Sequence, residues 1–332
     1  MPELKDEIRV LPRTWIVPIA VGLVGIALSF LAFWLAQRAD EERVRTILEF
    51  RADWRTRDLE AKIRQSGGAV ENVAIAMAAG LRPDIDEFKR LAARAHRGLA
   101  HVNSLQWAQR VPRDGVPAFE QMARSLGHAD YRMFDVTEEF QPTELSDRAE
   151  YFPVLFEERF HGKRRALGLA LGQYDGRRIP MEQARDEGAP VATAPVRPIG
   201  APTNQLVYLL FWPVYDGINV PATLEERRAK LRGYAVGNYD LVALLNAALR
   251  DTPDLIEALQ FAVGDRHQHD IADTIAHYAP EARRVALGPQ PADTSQPLAA
   301  RIRREFSAFG QHWDLAFDFP EATVAAPRSL AC

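Results

Sequence analysis

Cysteine is all but missing from this chain of 332 residues: the one present is Cys332, the last residue. An intrachain disulfide, a CxxC redox pair and a thiolate zinc cage are thereby excluded. Positive charge is also in short supply. The 41 Lys and Arg face 45 Asp and Glu, a net charge of -4, whereas a dedicated nucleic-acid binder needs a basic surface to displace counterions from phosphate. Missing too are a glycine-rich phosphate loop between strand and helix, a nucleophile elbow, an HExxH pair and the kinase signatures. With 47% hydrophobic and 26% charged residues the composition is globular, neither disordered nor that of a multi-span membrane protein. The length suffices for about two domains.

Long uncharged runs are scarce, and the one there is sets the topology. Trp15 to Leu35 reads WIVPIAVGLVGIALSFLAFWL without a charge. As a helix rising ~1.5 Å per residue it crosses the ~30 Å hydrocarbon layer, with Trp15 and Trp34 at the interfaces. It is too long for the apolar core of a secretory signal, and Ala36-Gln37-Arg38-Ala39 is a poor cleavage site. Lys5, Arg9 and Arg13 hold the short N-terminus in the cytoplasm. The expected layout is a cytoplasmic segment 1–14 and a transmembrane helix 15–35. Everything beyond about Ala39 then lies outside the cell inner membrane, in the periplasm or cell exterior.

Beyond the anchor, Val44, Ile47, Leu48, Leu59, Ile63, Val70, Val73, Ala74 and Met77 recur mostly three or four apart, which predicts one long amphipathic helix over 39–80 with Gly67-Gly68 as a kink. Such a stripe serves a helix lying along its own domain or a homodimer seam. Further along, a helix is expected over Pro83 to Gly98 and a strand over His101 to Val111. A helix follows at Phe119 to Leu126, then a short strand and turn at Asp130 to Glu139. Strands are expected near Arg165 to Leu171, Val207 to Tyr215 and Gly233 to Tyr239, with a helix from Pro180 to Glu187 closed by Gly188. Antiparallel strands with helices on one face make the fold α+β. A connecting helix at Val242 to Ala248 and a strand at Ala258 to Val263 come next. A clean hairpin closes the sequence of elements, with Trp313, Leu315, Phe317 and Phe319 on one face and the turn at Phe309-Gly310-Gln311. Gly288 to Pro297 reads as a polar loop.

Five short motifs in order, YFPVLFEE, RRALGLALG, ARDEGAPVATAPVR, LVYLLFWPVYDG and LRGYAVGNYDLVALL, resemble the CHASE domain, a family of extracytoplasmic sensor modules of bacterial and plant receptors. The resemblance implies two PAS-like antiparallel-sheet subdomains in tandem on the long helix. It places a membrane-distal ligand-binding one at 81–249 and a proximal one at 250–320, with 321–332 approaching a second membrane helix. Carried over motif by motif, the ligand-binding positions are Tyr151 and Pro153, Leu169 and Ala170, Thr193 and Pro195, Phe211 and Tyr215, and Gly233 with Tyr234. Ala170 stands where many members have an acidic residue and cannot accept a hydrogen bond from an amino group, so a cytokinin-like ligand is not implied. The family also implies a histidine kinase or diguanylate cyclase as output, with no catalysis in this chain and no cofactor.

Other chemistry is thin. Asp265-Arg266-His267-Gln268-His269-Asp270 offers zinc-type donors but reads equally as a polar loop, and no metal is assigned. Glu157-Glu158 and Glu138-Glu139 are sequence neighbours that point apart, poor acid/base dyads. Arg164 and Arg165 suit an anion or a solvated face. The leading function is a membrane-anchored sensory input region that binds a small molecule and signals through a homodimer. A membrane-tethered envelope scaffold and an unrecognised envelope enzyme remain open.

Overall fold

The computed structural model describes residues 16–80, 83–137, 141–161, 166–196, 205–250, 258–265, 275–279, 283–288 and 298–321. The chain divides into two compact units, residues 1–51 and 52–332. The first helix, α1 (Ile16–Ser66), begins in the apolar run. In the first unit every large apolar side chain from Val21 to Leu35 is exposed to solvent. Among the described residues this is the one helix long and apolar enough to cross a membrane.

The helix predicted to run to residue 80 is interrupted. α1 stops at Ser66, Gly67 forms a turn whose carbonyl accepts from Val70 N at 3.0 Å, and α2 (Gly68–Ala78) follows. Gly67 also makes room for Phe309: a Cβ there would stand 2.6 Å from Phe309 Cζ. Leu59 and Ile63 are buried before the break, and Val70, Val73, Ala74 and Met77 after it. Next, α3 (Ile85–Ala95) starts at a reciprocal capping box in which Glu87 N donates to Asp84 Oδ1 at 2.7 Å and Asp84 N to Glu87 Oε2 at 3.2 Å. α4 (Val116–Ser125) lies further along, α5 (Asp175–Glu187) ends at Gly188 with φ 69°, and α6 (Leu224–Lys230) and α7 (Leu241–Leu249) complete the helices.

Strands β1 (Val102–Gln109) and β2 (Val111–Pro112) are followed by β3 (Asp135–Val136), β4 (Pro142–Thr143), β5 (Glu150–Arg159) and β6 (Ala170–Leu171). β7 (Val191–Ala192), β8 (Val207–Tyr215) and β9 (Leu231–Asp240) come next. β3 and β4 pair with each other, while the rest form one antiparallel sheet in the order β2-β5-β1-β9-β8-β7, with β6 on β5. β5 has no counterpart in the sequence reading, because its apolar half runs into Glu157, Glu158 and Arg159 without alternation. The strand expected over Arg165 to Leu171 shrinks to β6, since Gly168 turns at φ 85° with a Cβ position 2.2 Å from Arg132 O, a conformation and an approach that favour glycine. Residues 162–165 lie outside the described set.

Helices cover both faces of this sheet, not one as expected, because β1, β8 and β9 carry buried side chains on both faces. On one face α2 packs so closely that a Cβ on Gly237 would lie 2.4 Å from Val70 Cγ2, and α3 sets Phe88 on Phe156 at 5.3 Å. On the other, Met181 and Ala184 of α5 join Val154, Phe211, Tyr234 and Val236 in an apolar cluster. The α+β expectation holds.

A second antiparallel sheet, ordered β12-β11-β10-β14-β13, comprises β10 (Ala258–Asp265), β11 (Ala276–Ala279), β12 (Arg284–Leu287), β13 (Leu298–Ala308) and β14 (Gln311–Pro320). The predicted hairpin is there, with Trp313, Leu315, Phe317 and Phe319 buried. Its turn is Phe309-Gly310, both at positive φ (52° and 74°), as a tight two-residue hairpin requires. That turn meets the first sheet: Ala192 N donates to Phe309 O at 2.8 Å and Gln311 Nε2 to Ala192 O at 2.7 Å. Arg304 also reaches back to Asp53 of α1. The possible zinc donors of 266–270 and the loop residues 289–297 lie outside the described residues.

Gly237→Ala will cost about 1–3 kcal/mol through overpacking against Val70. Gly68→Ala, on a helix with nothing within 4 Å of the new Cβ, is expected to be neutral or stabilising by up to about 1 kcal/mol. Urea unfolding followed by circular dichroism separates the two; equal effects would show that close α2 packing is not limiting.

Candidate functional site

The inner face of the seven-stranded sheet is apolar over most of its area. Phe211, Tyr215, Tyr234, Val236, Val154, Leu169 and Leu171 pack there beneath Met181 and Ala184. Tyr hydroxyls in such a place need acceptors, and α5 supplies them: Tyr234 donates to Met181 O at 2.9 Å and Tyr215 to Arg185 O at 2.6 Å. Burial pushes the Tyr215 phenol up to about 12 and Tyr234 higher still, so both remain neutral donors.

One end of this face is polar. Gln106 Nε2 donates to Ser104 Oγ at 3.0 Å and to Glu157 Oε1 at 3.1 Å, and Glu157 Oε2 accepts from Ala166 N at 3.0 Å. Ser104 and Gln106 are buried, and Asn238 pairs in register with Ser104. Sequence reasoning missed Gln106 and Glu157 as site residues. No pattern in the sequence marks them, since β5 does not alternate in polarity and only its pairing with β1 sets Glu157 opposite Gln106.

The cover is fastened at the C-terminal end of α5. Asp186 takes Arg228 at 2.6 and 3.1 Å and Arg185 at 2.6 Å, and its backbone carbonyl accepts from Arg227 Nε at 2.8 Å. The hydrogen bond from Arg228, with Arg185 adding, holds the Asp186 carboxyl well below the usual carboxylate range. Separately, Asp135, fully buried, ties the chain before β5 to β3: it accepts from Ser146 N at 2.8 Å and Ser146 Oγ at 2.7 Å and pairs with Arg148. The face thus combines an apolar body with a polar end beneath a helix fastened at its C-terminus.

Of the residues carried over from the motifs, Leu169, Phe211, Tyr215 and Tyr234 are members of the apolar cluster. Ala170 is buried and pairs with Pro153. Gly233 faces Gln109, and its missing Cβ leaves room for Ala108 O, 2.2 Å from the Cβ position. Tyr151 stands elsewhere: its hydroxyl donates to Ser146 O at 2.9 Å and the Arg148 guanidinium lies 4.9 Å over its ring. Its neighbour Phe152 contacts Tyr234 edge-on at 5.1 Å, and Val154 belongs to the cluster. Thr193 and Pro195 line a separate small cavity beside the hairpin turn, and Thr193 Oγ1 accepts from Leu209 N at 3.1 Å.

The CHASE domain family matches residues 82–275, more than half of the chain and the whole of the sheet just described. The chain belongs to the CHASE domain family. The matched span takes in β10 of the second sheet as well. No curated protein matches this CHASE chain. Among solved structures it is similar to the ligand-binding domain of the Pseudomonas aeruginosa PAO1 amino acid chemoreceptor PctC in complex with GABA. That likeness has 13% identity and a TM-score of 0.40 over 82% of this chain and 99% of that one. A methyl-accepting chemotaxis protein X shares 13% identity at a TM-score of 0.45 over 84% and 99%. The periplasmic sensory domain of the Campylobacter jejuni chemoreceptor Tlp1 shares 9% at 0.41 over 84% and 94%.

Two outcomes test these electrostatics. Asp186→Asn is expected to lower stability at pH 7 by about 1 kcal/mol, since the pair is partly exposed. The carboxyl is depressed in the folded state, so its contribution is present above the ordinary carboxylate pKa. The gap to the parent should therefore close as pH falls below about 4 in urea titrations; a gap constant with pH would remove the charge from the explanation.

His101 acts in the same direction over a higher pH range. It is buried against Tyr239 at 6.1 Å, and burial, with His96 adding and Asp240 opposing, pushes its imidazole down to about 4. The unfolded imidazole binds its proton near 6.5, so stability is full above that pH and falls toward pH 4, by about 3 kcal/mol at most. His101→Gln should flatten the decline; an unchanged slope would assign it to other groups.

Proposed function

We propose that this chain is the extracytoplasmic sensory input region of a transmembrane receptor, with a small molecule held on the inner face of the seven-stranded sheet under α5. The observation that supports it most is the composition of that face within the CHASE-matched span: an apolar body of Phe211, Tyr234 and Val236 continued by the polar group Ser104, Gln106 and Glu157. The apolar part would bury the ligand's body and the polar part would fix its head. Because α5 lies directly on the cluster, a ligand enters by lifting α5, and the Asp186 pairs resist that motion. Binding energy spent on α5 then becomes a displacement the receptor can report.

The apolar helix anchors the chain in the inner membrane with the two sheets outside. Dimerisation belongs to the same proposal, since Ile47 and Phe50 leave apolar side chains 58% and 71% exposed on α1, one helical turn apart. Output passes to a cytoplasmic module of the histidine kinase or diguanylate cyclase type. The subdomain division at residue 249 is part of this reading.

The ligand test is a thermal-shift screen of the full chain in lipid nanodiscs against amino acids, amines, carboxylates and purines. A true ligand at 100 times its Kd stabilises by about 2.7 kcal/mol. That shift should vanish in Gln106→Leu and in Glu157→Gln. A compound whose effect survives both variants binds elsewhere and refutes the inner-face site. For the dimer, Ile47→Cys and Phe50→Cys in a Cys332→Ser background should cross-link in membranes and Arg45→Cys should not; equal cross-linking at all three would reject the seam.

A further inference from the structure

The place where the hairpin turn of the second sheet meets the first sheet contains a cavity of about 10 Å³. Ile63, Thr193 and Tyr208 line one side, and Phe309, Gln311 and Trp313 the other. Tyr208 is 4%, Trp313 4% and Gln311 7% exposed. Each nevertheless carries a polar atom with no hydrogen-bond partner in the protein: Tyr208 Oη, Trp313 Nε1 and Gln311 Oε1. Buried polar atoms are rarely left so, and three around one small cavity call for a shared partner.

The neighbouring polar groups make bonds of their own. Gln311 Nε2 donates to Ala192 O at 2.7 Å, which also fixes the amide, because flipping it would set two oxygens against each other. Thr193 Oγ1 accepts from Leu209 N at 3.1 Å. Ser66 Oγ is close enough to ease ionisation of Tyr208, but it donates to Ile63 O at 2.6 Å and meets the phenol without hydrogen-bond geometry.

The three orphan atoms form a complementary set. The indole N–H can only donate, the amide oxygen can only accept, and the phenol can do either. A water molecule accepts from the first, donates to the second and pairs with the third. About 10–15 Å³ is the smallest space that holds one. We propose that a single buried water occupies this cavity and hydrogen-bonds Trp313 and Gln311 of the second sheet to Tyr208 of the first. The inference stands whether or not the inner face binds a ligand. It makes the contact between the sheets a hydrated joint, in which direct bonds through Ala192 are accompanied by one exchangeable bridge.

The test uses the full chain in nanodiscs with ¹⁵N-labelled indoles, the Trp313 signal being assigned by its loss in Trp313→Phe. Water-to-indole cross-relaxation at Trp313 should carry the sign of a long-lived bound water, whereas Trp54, 51% exposed, should show only fast surface hydration. Tyr208→Phe keeps the ring and removes one partner. It should weaken the Trp313 cross-relaxation at least twofold and speed exchange of the indole proton, with the rest of the spectrum retained. Absence of the signal at Trp313 in the parent chain means a dry cavity and overturns the proposal. A signal unaltered in Tyr208→Phe also overturns it, because the water would then not bridge the sheets.

Discussion

The close approach of α2 to the middle of the first sheet is the constraint on which the rest of the second unit depends. It exists because Gly237, on the central strand β9, offers no side chain to Val70. With α2 seated there, Tyr239 reaches Ser66 O at 2.9 Å and stacks on Tyr208 at 5.1 Å. Those two rings fill the space under the end of α1, and Gly67 leaves the gap into which Phe309 fits. The missing side chains at Gly237 and Gly67 thus admit α2 to the middle of the first sheet and Phe309 to the end of α1.

Covering both faces divides the work of the sheet. The α2 and α3 side is packed with large rings and short contacts, as Phe88 on Phe156 and Trp107 beneath Gly233 show. The α5 side is held differently, through phenol-to-carbonyl bonds and the Asp186 ion pairs at its end. Packing of the first kind resists any displacement, whereas a few directional bonds can exchange partners within a short motion. The face that mixes apolar and polar groups is thus the one whose helix is held by directional bonds as well as by packing.

Much of this was legible in the sequence, for identifiable reasons. β8 falls on the predicted Val207 to Tyr215, and the β13–β14 hairpin declares itself by strict alternation around Phe309-Gly310. α5 was recognised from its Gly188 terminus, although it starts earlier, at Asp175, with Pro180 inside its first turns. What could not be read depends on partners distant in the chain. Glu157 meets Gln106 only because β5 lies beside β1, and although the glycine pair at 67–68 marks the kink, the phenylalanine that fits against Gly67 stands 242 residues later. Family motifs located the inner face through Phe211, Tyr215 and Tyr234, yet Tyr151 serves the loop at Ser146, a distinction set by which way alternate residues of β5 point.

The docking of the hairpin turn on β7 has a consequence for the solubility of the protein. A sheet that ends in open strands invites pairing with other chains, and extracellular domains crowded on a membrane are exposed to that hazard. Here the amide of Ala192 on the outer strand β7 is already bonded to Phe309, and the opposite outer strand, β2, ends in Pro112, which has no amide to give. Two donors that a further strand would use on the outer strands of the seven-stranded sheet are therefore withheld, one by an occupied amide and one by a proline.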